Sequence, residues 1–136
     1  MDSKKLILII DDEPYNIFDL KLVLSQKGML CSAVILESFG YSVAVSFTSH
    51  DVIEEVTAIQ PDLILMDSCI PSIGRIEATQ LLKNHQEFKC IPVIYLSSNK
   101  DIESLAIQAG ADGYLEKPFD IFDLENIIKR KLYQYH

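Results

Sequence analysis

No apolar run in this chain is long enough to cross a membrane. The longest near the start, Leu6 to Ile10, stops at Asp11, far short of the ~18 residues that a span needs. Lys4 and Lys5 precede that run, but acids follow it at once and no small-residue cleavage site is present. A signal peptide is excluded on those grounds, and a cytoplasmic protein is expected. Basic side chains are also scarce: 12 Lys and Arg stand against 20 Asp and Glu, for a net charge of -8. That sign is wrong for gripping phosphate backbones or anionic lipid, so neither nucleic acid nor membrane is expected as a direct partner. Cysteine is sparse and unpaired. Cys31, Cys69 and Cys90 are odd in number and too scattered for a zinc knuckle or a redox dithiol, and they are expected to be small buried hydrophobes. Internal repeats, low-complexity tracts and interdomain linkers are missing as well.

What is there suits a single globular core. The chain has 136 residues, of which 49% are hydrophobic and 24% charged, ordinary usage for one domain. That domain is expected to take in residues 1–136, with nothing left over for an output domain. Three short apolar runs bounded by breakers, Leu6 to Ile10, Leu63 to Met66 and Ile91 to Leu96, predict strands buried on both faces. Tyr41 to Ser46 and Asp112 to Glu116 are two more strands, each introduced by a glycine (Gly40, Gly110) that ends the helical pattern before it. Helical spacing lies between them, as in Val52, Val56 and Ile59 behind the cap candidate Ser49, and in Leu105 and Ala109. Asp120 is placed to cap a final helix carrying Leu124, Ile127, Ile128 and Leu132. Strand and helix in alternation predict a doubly wound α/β fold with a parallel sheet and helices on both faces. The segment from Pro14 to Phe39 is long for this scheme. One helix of that length would extend ~39 Å, against ~18 Å for a strand, so a break is expected at Lys27-Gly28, the alternative being one extended helix.

In an open parallel sheet, ligands bind beyond the carboxyl ends of the strands. The residues following the apolar runs are Asp11, Asp12 and Glu13, then Asp67, then Ser97 and Ser98, then Lys117 and Pro118. Taken singly, each has a plain explanation: Asp12 and the serines as helix caps, Asp67 as a turn residue, Lys117 as a solvated charge. Together they place three aspartates, a hydroxyl and an ammonium on one rim. Carboxylates about 5 Å apart repel by ~3 kcal/mol per pair at an effective dielectric near 20. Three such pairs rival a domain's whole stability of ~5–15 kcal/mol. Either one acid holds a proton at raised pKa, or a hard divalent cation enters; an all-oxygen site with few protein ligands suits Mg²⁺. A carboxylate beside Mg²⁺ is a competent nucleophile toward phosphorus. Asp67 leaves the middle of the sheet and is the nucleophile candidate, while Asp11 and Asp12 hold metal. Lys117 would ion-pair with the phosphoryl group, and Ser97 would donate to one of its oxygens.

These motifs, DDEP at 11–14, LILMDSCIP at 63–71, IPVIYLSS at 91–98 and YLEKPF at 114–119, resemble the receiver domain of two-component response regulators. The resemblance covers nearly the whole chain. It implies a flavodoxin-like five-stranded sheet in the order 2-1-3-4-5, and a phosphoryl group received from the phosphohistidine of a sensor histidine kinase or a histidine phosphotransfer protein, then read by a downstream protein target. Position by position it implies Asp67 as phosphoacceptor and Asp12 with the Cys69 backbone carbonyl as metal ligands. Asp11 would act largely through water, with Mg²⁺ as the ion and Mn²⁺ as a substitute. It implies Ser97 as the switch hydroxyl and Tyr114 as the switch aromatic, whose inward turn remodels the face around the last strand. It also implies a signalling phosphoacceptor, not an enzyme in the ordinary sense, with self-phosphorylation and slow autodephosphorylation only.

The departures from the family pattern are local. Pro71-Ser72-Ile73-Gly74-Arg75 stands where Asp-Gly commonly follows the proline, which alters the loop after the third strand and adds a cation, Arg75, near the site. Ser98 stands where the family has a small Ala or Gly, and it is expected to narrow access to the phosphoryl pocket and alter dephosphorylation. An insertion or helix extension around 21–32 adds apolar surface, including Met29 and Leu30, and is expected to contact a partner chain or a second copy. Two rivals remain in view. A pseudo-receiver would keep the fold and signal by protein contact without phosphate. A haloacid dehalogenase type of hydrolase would carry another Asp two residues after the nucleophile, where this chain has Cys69.

Overall fold

The structure, a computed structural model, describes residues 5–10, 36–37, 39–46, 52–67, 73–97, 99–117 and 119–133, with the side chains of 67, 73 and 74 left aside. Within them five strands and four helices alternate: β1 (Leu6–Ile10), β2 (Ser42–Ser46), α1 (Val52–Ile59), β3 (Leu63–Asp67), α2 (Ile73–Asn84), β4 (Val93–Ser97), α3 (Ile102–Ala109), β5 (Gly113–Glu116) and α4 (Ile121–Tyr133). The strands form one parallel sheet in the order β2-β1-β3-β4-β5, as expected. The strand order reverses between β1 and β3, and that reversal opens a crevice at the carboxyl edge.

Strand periodicity divides the core. Leu8, Ile10, Ile64, Met66, Val93 and Tyr95 face one way and pack with Val52, Val56, Leu82 and Ile102 of α1, α2 and α3. Ile7, Ile9, Leu63, Leu65, Ile94 and Leu96 face the other way, onto Leu36 and onto Leu124, Ile127 and Ile128 of α4. Residues 7–10, 63–66 and 93–97 are buried on both faces, which is why their sequences are continuous aliphatic runs. Each fully buried Leu or Ile contributes ~1.5–3 kcal/mol of transfer free energy.

The element ends have visible causes. Gly110 adopts φ 82 with its N–H on the Ile107 carbonyl and the Ala111 N–H on that of Ala106; Gly40 adopts φ 93 with the matching pair, Gly40 to Glu37 and Tyr41 to Leu36. Both are left-handed helix caps, for which glycine carries no Cβ penalty. Asp120 caps α4 through Oδ1, which accepts the Phe122 N–H at 2.8 Å. β4 starts at Val93, two residues later than its apolar run: the Ile91 N–H is spent on the Phe88 carbonyl, and Pro92 has no N–H to offer the ladder. β2 and β5 likewise begin one residue late, at Ser42 and Gly113. Asp112, just before β5, is joined to the start of β4 twice: its N–H donates to the Val93 carbonyl at 2.8 Å, and its carboxylate accepts the Val93 N–H at 2.8 Å as well as the Lys83 ammonium at 2.7 Å.

Cys90 overturns the expectation of a buried thiol. It lies exposed on the turn after α2, where the chain has left the core. Cys31, Cys69, the cap candidate Ser49, the Lys27-Gly28 break and the insertion around 21–32 lie outside the described residues. Among those residues no helix is long and apolar enough to cross a membrane.

Candidate functional site

The site is built from four strand ends brought into step by the register. Ile10 pairs with Met66 and with Ser46, Asp67 with Leu96, and Ser97 with Glu116. Asp11 follows Ile10 in the chain, Asp67 follows Met66, and Lys117 follows Glu116. The ladder thus aligns the backbone positions from which the nominated residues depart. Asp11, Asp12, Cys69 and Ser98 themselves lie outside the described residues, as does the side chain of Asp67. Among the described residues no group of three His, Cys, Asp or Glu is disposed to hold a metal ion.

Ser97 and Lys117 are brought together. Ser97 ends β4 almost wholly buried, 1% exposed, and its Oγ accepts the Asn99 N–H at 3.0 Å. The Lys117 N–H donates to the Ser97 carbonyl at 2.8 Å, and the Lys117 side chain is half-buried. Ser97 does not cap the following helix. The N-cap is Asp101, which makes no side-chain cap bond, and Asn99 shapes the turn before it, its Oδ1 accepting the Asp101 N–H at 2.8 Å and its carbonyl the Ile102 N–H. On the β2 side of the rim, buried Ser46 donates to the Glu55 carboxylate on α1. This acid was not among the nominated residues, because helix packing and not strand adjacency delivers it.

Gly74 and Arg75 fall inside α2 and not in an access loop, and Arg75 is turned into the interior at 1% exposure. Its Nη1 donates to the Ile10 carbonyl at 2.9 Å and approaches the Met66 sulfur at 3.9 Å. Its own carbonyl accepts from Thr79 Oγ1 at 2.9 Å and from the Tyr95 hydroxyl at 3.3 Å, while those two hydroxyls lie 2.7 Å apart. Burial raises the Tyr95 pKa, an effect opposed by the Thr79 hydrogen bond and the Arg75 charge. A phenol inside an otherwise aliphatic strand must find a partner. That was the one signal in the sequence for this network, although it could not say which helix supplies Thr79.

Tyr114 stands outside the core, 38% exposed, and its hydroxyl donates to Glu103 Oε2 on α3 at 3.0 Å. It edges an open groove with Leu115, Asp123, Asn126, Ile127, Lys129 and Arg130. The bond to the Glu103 carboxylate raises the Tyr114 pKa from its ordinary 10.0, with smaller contributions from desolvation and from the Glu103 and Glu116 charges. A raised pKa in the folded state means that the latch is complete below pH 10.0 and is lost as pH climbs through the shifted value. Spectrophotometric titration, taken as the difference between the parent and Tyr114→Phe, should show a tyrosinate forming above the ordinary range. Glu103→Gln should bring that midpoint down, and an unmoved midpoint would refute the latch.

Comparison with known proteins points one way. The model of the response regulator receiver domain matches residues 30–129. The chain is 28% identical over 131 residues to the DNA-binding transcriptional regulator NtrC of Proteus hauseri, covering 95% of this chain and 25% of that protein. It therefore spans about a quarter of that regulator's length. Among solved structures, the receiver domain of a sensor histidine kinase from Pseudomonas aeruginosa, with a magnesium ion coordinated in its active site cleft, superposes with TM-score 0.72 at 27% identity, covering 96% of this chain and 98% of that one. A two-component response regulator from Clostridium difficile gives TM-score 0.70 at 25% identity, with coverage of 96% and 98%.

Proposed function

Because the chain belongs to the response regulator receiver domain family, we propose that it is a phosphoacceptor that takes a phosphoryl group onto Asp67 and thereby switches a protein-binding surface. The observation that carries this reading is the rim: β1, β3, β4 and β5 end in register, and the Ser97 carbonyl is bonded to the Lys117 N–H. A carboxylate oxygen of Asp67 attacks phosphorus, the P–N bond of a donor phosphohistidine breaks, and the imidazole leaves with the electron pair as the acyl phosphate forms. The Lys117 ammonium offsets charge on the phosphoryl oxygens. A hydroxyl has one donor and two acceptor sites, so the bond that Ser97 Oγ accepts from Asn99 is compatible with its donating to one of those oxygens.

Asp11, Asp12, Asp67 and the Cys69 carbonyl make an all-oxygen donor set, whose hardness fits Mg²⁺, or Mn²⁺ in its place. The ion would neutralise the equatorial oxygens during in-line transfer. The donor is a sensor histidine kinase or a phosphotransfer protein, and the output is a downstream protein that reads the surface around Tyr114. The chemistry is limited to self-phosphorylation and slow loss of the phosphate. Incubating the protein with acetyl phosphate, with and without Mg²⁺, and weighing the intact chain tests the proposal. One added phosphoryl group that depends on the ion is expected. An unmodified mass from a natively folded sample would favour a pseudo-receiver that works by contact alone.

A further inference from the structure

We infer that Arg75 is the resident counter-charge of the acidic rim, a fixed cation that offsets part of the carboxylate charge and so sets how tightly the site takes a divalent ion. The inference rests on the phosphoacceptor reading and extends it to a residue with no assigned role. A guanidinium cannot shed its proton in a protein, and burying one without compensating charge is strongly unfavourable. Arg75 is 1% exposed, so its charge has to be answered within the protein. Its Nη1 reaches the Ile10 carbonyl and the Met66 sulfur. These two residues are register partners on the central strands, and each immediately precedes a nominated acid, Asp11 and Asp67. The cation is thus anchored one residue, ~3.3 Å of strand rise, before each nominated acid in the chain.

The cation is held there from both sides. Its backbone carbonyl accepts from Thr79 within α2 and from Tyr95, which ties the first turn of α2 to β4, and its side chain bonds to β1. Swinging the guanidinium out to solvent would give up the β1 bond and bury nothing in its place. A positive charge so placed stabilises the ion-free rim and works against an incoming dication at the same time. Neutralising it should therefore tighten metal binding while weakening the metal-free fold.

Mg²⁺ dissociation constants measured by isothermal titration calorimetry on the full chain, together with thermal melts in chelator and in excess Mg²⁺, test this. Arg75→Met should bind Mg²⁺ more tightly than the parent, on the order of tenfold. It should also melt lower in chelator and gain more from the ion. Arg75→Lys, which keeps the charge, should stay near the parent affinity. Arg75→Gln, which can still donate to the Ile10 carbonyl, provides the neutral variant if the methionine chain does not fold, with the same tightening expected. Neutral variants that fold and bind Mg²⁺ no more tightly than the parent overturn the inference while leaving the phosphoacceptor reading intact. A parent that binds no Mg²⁺ at all overturns both.

Discussion

Asp67→Asn should fold with the parent's far-ultraviolet spectrum and accept no phosphoryl group, a loss of about 10³-fold or more in labelling by acetyl phosphate. The backbone at this position ends β3 opposite Leu96, and an asparagine keeps that pairing. What changes is the proposed nucleophile, since an amide oxygen carries no full charge and forms no stable acyl phosphate. The same substitution removes a carboxylate from the proposed donor set, so Mg²⁺ affinity should fall along with the labelling. Intact mass spectrometry reads the first effect and calorimetry the second. Labelling that persists in the Asn variant would move the acceptor to another side chain and remove the central element of the proposal.

The largest effect on stability is expected at the middle of the sheet. Leu65 is fully buried, pairs with Ile9 on one side and Ile94 on the other, and belongs to the core layer that packs beneath α4. Neighbours on two strands and a helix cannot all collapse into the space left by Leu65→Ala, so a loss of ~3–4 kcal/mol is expected. That is a large part of the ~5–15 kcal/mol available to a domain. Urea denaturation should show the midpoint falling with its slope unchanged. Val45→Ala, on exposed edge strand β2, should stay within about 0.5 kcal/mol. A Leu65 variant as stable as the Val45 variant would contradict the described packing.

The sheet was legible in the sequence because its three inner strands are buried on both faces and so appear as uninterrupted aliphatic runs. Its helix ends were legible where glycine or aspartate does a local job, at Gly40, Gly110 and Asp120. The errors fall where a distant contact overrides a local preference. Arg75, next to a glycine after a proline, reads as a loop cation near the site, whereas it lies within α2 with its side chain turned inside and bonded to the Ile10 carbonyl of β1. Cys90 reads as a buried thiol from residue type alone, but it sits on a turn beyond the core. The partnership of Tyr114 with Glu103 and that of Ser46 with Glu55 each depend on a helix laid across a strand, which no local spacing encodes. On the rim, the order of Ser97 and Lys117 could be read in advance; the backbone bond joining them could not.

That bond has a mechanical consequence. Because the Lys117 N–H hangs from the Ser97 carbonyl, the two residues share one hinge pin, and if they serve as the proposed donors, a tug that draws the serine toward a newly arrived oxygen would also reset the root of the lysine. The pocket would thus tighten around its cargo in a single coordinated stroke instead of two independent adjustments.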